Sequence, residues 1–260
     1  MPFSYSQLNT YSTCPKQFEF ANVKKIPRQI SAGESFGSSV HNTLSKWGKL
    51  EAEKGKKKEE KDQLTMFEEP EEEAVPLTID LLLDLWHQSF IVQGYSSKVD
   101  ADSARTKGEV LMQKFYEWWE KETREVIAIE KGFSIAVDID TIKGRFDRIE
   151  RTAGKLIVID YKTGGMRTQE EVDEDLQLSI YALACQDLFG EPCDELVLFF
   201  LSEEGITEVV TKRTPKQLSK AGDVIGSLSE QIDDEKFTAT PSESACRRCP
   251  YRSICENSAV

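Results

Sequence analysis

The chain has 260 residues, 33 lysines and arginines against 46 aspartates and glutamates, a formal net charge of −13, and 39% hydrophobic residues. Such a chain can bury a sizeable core in one large domain, or one domain with an insertion, and it is not collagen-like, fully disordered or a disulfide scaffold. No run of about 18 apolar residues occurs, and the start MPFSYSQLNT lacks the basic-then-apolar layout of a secretory signal, so a cytoplasmic protein that does not enter a membrane is expected.

Ser4 and Gln7 have the spacing of a capping box and predict a helix through YSTCPKQFEF, with Pro15 near a start or a kink. Residues 1–50 carry six bases and two acids, a local positive excess that leaves room for a nucleic-acid face on an acidic protein. Phe36, Val40, Leu44 and Trp47 recur at helical spacing, as do Leu82, Leu85, Trp86 and Phe90, and less cleanly Val110, Lys114, Tyr116 and Trp119. Between them, EAEKGKKKEEKDQLTMFEEPEEE (51–73) holds ten acids and five bases with hardly an apolar residue; it reads as a solvated helix end running into a mobile insertion.

From Val126 the period shortens. Phe133, Ile135, Val137 and Ile139 alternate with polar residues, then GRFDRIE and KLIVIDY follow around the turn Thr152 to Gly154, which predicts a β-meander. A helix from about Gln169 to Leu188 is expected next, with acids in its first turn. ELVLFFL and ITEVVTKR read as two more strands and 215–232 as a last long helix. The expected fold class is α/β, a mixed sheet with helices packed on it.

Three groups of residues carry chemistry. Asp160 and Lys162, two apart on a strand, project to one face while Ile157, Ile159 and Tyr161 face the other way, and Asp147 on the neighbouring strand comes alongside. Two carboxylates at a strand end suit Mg²⁺ or Mn²⁺, with the lysine orienting or deprotonating a water; the commoner meaning of an isolated D-x-K is a surface ion pair. Gln177 and Tyr181, four apart on one helix face, offer neutral hydrogen-bonding tips that either touch a phosphodiester or buttress the lysine; such a tyrosine is more often core with a wet tip. His41, at the border of an apolar helical stripe, is a third ligand type, although a lone helical histidine is usually a satisfied boundary residue; His87 has no partner in the pattern.

The cysteines form a fourth group. Cys14 lies near one end and Cys246, Cys249 and Cys255 (CRRCPYRSIC) near the other. In a compartment that keeps thiols reduced, this spacing reads as a metal clamp, and one remote cysteine plus a dense cluster suits an iron–sulfur centre about as well as zinc or better. Cys185 and Cys193 read as core or loop residues without partners.

SYSQLNTYSTCPKQFEF, GSSVHNTL, GRFDRIE, VIDYKTG, QLSIY and CRRCPYRSIC occur in the order used by RecB-like nucleases of the PD-(D/E)XK superfamily, and they resemble its iron–sulfur branch, which includes the AddB nuclease domain and CRISPR adaptation nucleases. That resemblance implies a restriction-endonuclease-like core at 126–232, N-terminal helices at 1–50, a charged insertion with helices at 51–125 and a cluster-bearing tail at 233–260. It implies a metal held by His41, Asp147, Asp160 and the Tyr161 carbonyl, water activation by Lys162, and support from Gln177 and Tyr181. It implies a 4Fe-4S cluster on Cys14, Cys246, Cys249 and Cys255. Glu130 matches a glutamate often seen at the start of the first strand. The acid at 160 is aspartate where some relatives carry glutamate, which shortens its reach.

The expected activity is Mg²⁺- or Mn²⁺-dependent cleavage of DNA, as an exonuclease on single strands or ends, with Lys24, Lys25, Arg247 and Arg248 gripping the phosphates and helicase, CRISPR or repair proteins as partners. The alternative is a non-catalytic iron–sulfur or zinc module that binds nucleic acid or protein.

Overall fold

A computed structural model describes residues 2–63 and 75–260, with side chains described outside 56–63. The expected mobile stretch from residue 64 to 73 lies outside the described residues.

Strand β1 (Phe3–Ser4) leads directly into helix α1 (Tyr5–Thr13), opened by the expected Ser4/Gln7 capping box. The predicted run through Pro15 is broken. Cys14 is extended, because a residue before proline is driven out of the helical region, and Pro15 then starts the short helix α2 (Pro15–Phe18). A π-helical turn (Glu19–Val23) carries the chain to α3 (Ala32–Gln63), α4 (Ile79–Ser89) and α5 (Lys98–Trp119). The meander follows as β2 (Glu125–Val137), β3 (Asp140–Thr152) and β4 (Lys155–Lys162), then α6 (Gln169–Asp173), α7 (Leu176–Phe189), β5 (Glu195–Ser202), β6 (Gly205–Thr211), α8 (Pro215–Asp233) and α9 (Glu243–Arg248).

Two expectations in this half need correction. Ile139 is not a strand residue: it sits on the β2–β3 turn beside Asp138, whose φ is +53°, and is 99% exposed. The helix expected from Gln169 to Leu188 is two helices, because the Asp175 carboxylate accepts the Leu178 N–H and caps a new start there.

The sheet is mixed, in the order β1-β3-β4-β5-β6 with β2 also on β3. β1 runs parallel to β3 and β4 parallel to β5; the remaining pairs are antiparallel. One edge of β3 is taken along its length by β2. The other edge is shared: β1 pairs with Ile142 and Lys143, β4 pairs with Arg148 to Thr152, and among the described residues no strand lies beside 144–147 on this edge.

Helices cover both faces. On one face α1, α7 and α8 pack on Phe133, Ile135, Phe146, Val158 and Leu198; on the other α3, α4 and α5 pack on Ile159, Tyr161, Val197 and Phe199. Fully buried Trp47, Trp86 and Phe115 anchor the second layer, each contributing roughly 2–3 kcal/mol by burial. Gly108 lets α5 sit against Trp86, since a Cβ there would lie 1.8 Å from the ring.

The first residue of the acidic run is not solvated as its composition implies. Glu51 lies on α3 and makes a two-pronged ion pair with Arg148 of β3, at 2.7 and 3.2 Å; Arg148 is 1% exposed and also holds Glu150 at 2.6 Å. This is a tertiary contact that no local pattern announces.

Candidate active site

The ladder between β3 and β4 ends at the pair Arg148↔Ile159. One residue further on, the Asp147 carboxylate replaces a backbone acceptor and takes the Tyr161 N–H at 3.0 Å. Phe146 and Ile149 bury in the same core layer although they are three apart, so the strand alternation slips between them, and Asp147 is presented at that irregularity. Meanwhile β4 continues along β5 in the pairs Asp160↔Leu198 and Lys162↔Phe200. Two strands that part company thus leave Asp147 and Asp160 at the opening.

Asp160 is 2% exposed and lies on the α7 side of the sheet. Its Oδ1 accepts the Gln177 amide at 2.9 Å and lies 3.1 Å from the Tyr181 hydroxyl. The single Tyr181 proton is shared between Asp160 and the Arg145 carbonyl, 3.0 Å away on the ladder-free edge of β3. Gln177 also donates to the Tyr181 oxygen and accepts from Lys162 Nζ at 3.0 Å. Lys162 Nζ is 2.5 Å from Asp160 Oδ2, yet that buried oxygen has no aligned hydrogen bond. It has a charge partner but no donor along its lone pairs. Burial pushes the Asp160 carboxyl above the usual range; Lys162 opposes this and Asp147 adds to it.

His41 reaches the cluster from α3, with Nδ1 3.2 Å from Asp147 Oδ2 and its ring edge-on to Tyr161. Burial disfavours its charge, but Asp147 and then Asp160 outweigh burial and hold the imidazole above its ordinary value. The Tyr161 ring is buried on the opposite face against Phe115 and Phe199. Glu130, which sequence reasoning noted without a role, lies opposite Asp147, between the pairs Ile129↔Arg148 and Lys131↔Phe146. Its backbone is left-handed, φ +52°, and burial raises its carboxyl against the pull of Arg145.

All seven expected residues are therefore brought together, with Gln177 and Tyr181 bonded to Lys162 and Asp160. Among the described residues no group of three His, Cys, Asp or Glu side chains stands ready to hold a metal as placed. The hydrogen bonds give the reason at the acids, since Asp147 Oδ2 and Asp160 Oδ1 already accept protein donors and Lys162 stands beside Oδ2. The donor set itself, two carboxylates and an imidazole, suits a hard divalent cation.

Cys14, Cys246, Cys249 and Cys255 line one cavity, and all four thiols are free. The Ala259 N–H points at Cys246 Sγ at 3.4 Å. Burial raises Cys14, but amides of Thr240, Gln17 and Lys16 win and lower it. Burial raises Cys249, and Cys14, Cys255 and Cys246 add to the rise as like-charged neighbours. The four thiols share the lining of that cavity, but among the described residues no three of them form a group placed to hold a metal.

Cys185 is buried in the core and Cys193 packs against the same cluster, as expected of core and loop residues.

Of the expected phosphate-gripping bases, Lys24 is paired with Glu19 and Arg247 with Glu243, which halves their free charge. The tail packs on the segment bearing Lys24 and Lys25, through the Tyr251 hydroxyl on the Ile26 carbonyl and the ring contact of Tyr251 with Phe20. No described helix is long and apolar enough to cross a membrane.

The sequence profile of the PD-(D/E)XK nuclease superfamily matches residues 2–256. The Gene 69 protein of Mycobacterium phage D29 is 24% identical, covering 97% of this chain and 95% of that one; the Gene 69 protein of Mycobacterium phage L5 is 26% identical over 70% and 69%. Among solved structures, an exonuclease candidate from Eubacterium rectale aligns with a TM-score of 0.45 at 8% identity, covering 90% of this chain and 79% of that one.

Proposed function

This chain belongs to the PD-(D/E)XK nuclease superfamily, and from that premise we propose that it hydrolyses DNA phosphodiester bonds with Mg²⁺ or Mn²⁺, as an exonuclease on single strands or ends. The observation that carries the reading is the Asp160 carboxylate: buried, with Oδ2 beside Lys162 and without an aligned donor, across from Asp147. A surface ion pair would have no reason to be sunk in the sheet and served by two further side chains, so the bland meaning of D-x-K is disfavoured.

Asp147, Asp160, His41 and the Tyr161 carbonyl would hold the cation. When bound, it supplies charge neutralisation at the phosphate and a more acidic water. Lys162 orients that water or takes its proton. Gln177 holds Lys162 by its carbonyl and Asp160 by its amide, so the two reacting groups keep one separation. Tyr181 ties the same carboxylate to the β3 edge.

Cys14, Cys246, Cys249 and Cys255 would hold a 4Fe-4S cluster that joins the two ends of the chain, with Lys24, Lys25, Arg247 and Arg248 near it for phosphate contact. The RecB/AddB-like branch and partners in repair or CRISPR adaptation follow from this centre. The test is degradation of labelled single-stranded and duplex DNA with and without Mn²⁺ by protein purified without oxygen. Binding without turnover in both metals would favour the non-catalytic module instead.

A further inference from the structure

Arg145 lies two residues before Asp147 on β3, on the stretch that has no strand beside it on one edge among the described residues. Its ion-pair partner Glu130 lies opposite Asp147 on β2, which sets Arg145 beside the acid cluster. It is far more exposed than its neighbours: the side chain is 67% exposed, while its partner Glu130 is 18% exposed. Only Nε is engaged, 2.5 Å from Glu130 Oε2; the two terminal nitrogens have no partner among the described residues. The Arg145 backbone is held as well, by the Tyr181 hydroxyl on its carbonyl.

Glu130 reaches Arg145 from an unusual backbone. A non-glycine residue at φ +52° inside a strand costs about 1 kcal/mol or more. That conformation places its carboxylate over Nε, and a guanidinium gripped at Nε presents a fork of two N–H donors in one plane, the arrangement that matches two oxygens of a phosphate.

We propose that Arg145 is a phosphate clamp, positioned by Glu130, that holds the nucleic-acid backbone beside Asp147 and Asp160 and so registers the bond to be cut. This rests on the nuclease reading and adds the residue that binds substrate rather than metal. Glu130 touches no phosphate; it is a positioning residue that acts through Arg145.

The experiment measures cleavage of a fluorescent single-stranded oligonucleotide with Mn²⁺, and binding of the same oligonucleotide in a Lys162→Ala background across a salt series. Arg145→Gln is expected to raise KM about tenfold while kcat changes less than about threefold, and to reduce the salt slope by about 0.7, the value of one single-strand phosphate contact. Arg145→Lys should restore the slope but not KM, because a point charge replaces the fork. Glu130→Gln should raise KM in the same direction, and the double substitution should be no worse than Arg145→Gln. Both side chains are at a surface opening, and melting curves establish that the variants fold. Unchanged KM and salt slope in Arg145→Gln overturn the clamp. A fall in kcat with greater Mn²⁺ demand in Glu130→Gln overturns the positioning role and makes Glu130 a metal residue. If the unsubstituted protein binds but never cleaves, the nuclease reading fails while the salt slope still decides the clamp.

Discussion

The carboxylate of Asp147 accepts the backbone N–H of Tyr161 at 3.0 Å, in the place where the next rung between β3 and β4 would otherwise form. A side chain used as a ladder acceptor keeps the strand pair joined while letting the strands diverge. The divergence leaves Asp160 on one side of the peptide that Asp147 holds and Lys162 on the other. Position and chemistry are thus set by one contact.

Lys162→Ala is expected to reduce Mn²⁺-dependent cleavage by about 10²-fold or more without unfolding the protein. Asp160→Asn should also lose activity yet melt no lower than the parent, because it removes a buried charge whose carboxyl burial already pushes up. Undiminished turnover in either variant would dismiss this site.

Gln177→Leu tests the buttress. It removes the donor to Asp160 and the acceptor for Lys162 while keeping a similar volume, so kcat should fall by about 10- to 100-fold, the usual effect of losing a supporting partner. Steady-state kinetics on the oligonucleotide checks it; an effect on KM alone would mean that Gln177 touches DNA instead.

Glu51 and Glu53 stand two apart in the same acidic run but differ in role. Glu51→Ala leaves Arg148 buried without its main partner and takes an acceptor from the Trp119 indole, so urea unfolding should show a loss of about 3–5 kcal/mol. Glu53 is exposed, and Glu53→Ala should stay within about 0.5 kcal/mol. Equal losses would contradict the buried ion pair.

If Cys14, Cys246, Cys249 and Cys255 hold the proposed cluster, anaerobically purified protein should be brown, and Cys249→Ser should lose that colour and melt at a lower temperature because the cluster would no longer join the tail to Cys14. Cys193→Ser, outside the four, should keep the colour. Iron retained in Cys249→Ser would remove that cysteine from the centre.

The start of α3 carries a pH signature away from the reacting groups. The Arg28 guanidinium first, and then the Ser31 N–H and hydroxyl, hold the Glu34 carboxyl down to about 2 against an ordinary 4.5. A depressed folded value means that the contribution is complete above the ordinary value and is lost as pH falls from 4.5 towards 2. NMR titration should place the Glu34 midpoint near the lower value, and Arg28→Gln should return it towards the ordinary one. A midpoint unchanged by Arg28→Gln would show that the arginine is not its cause.

The sequence by itself determined what local chemistry can dictate. Ser4 and Gln7 specify a helix start, and the alternation in KLIVIDY puts Asp160 and Lys162 on one face, since each depends only on near neighbours and a fixed period. Only the tertiary structure decided the rest. Glu51 and Arg148 meet across 97 residues, and Glu130 meets Arg145 by way of a strained backbone. These contacts arise where strands part or layers pack, and the partner that satisfies a buried charge is chosen by distance in space, for which sequence separation carries no signal.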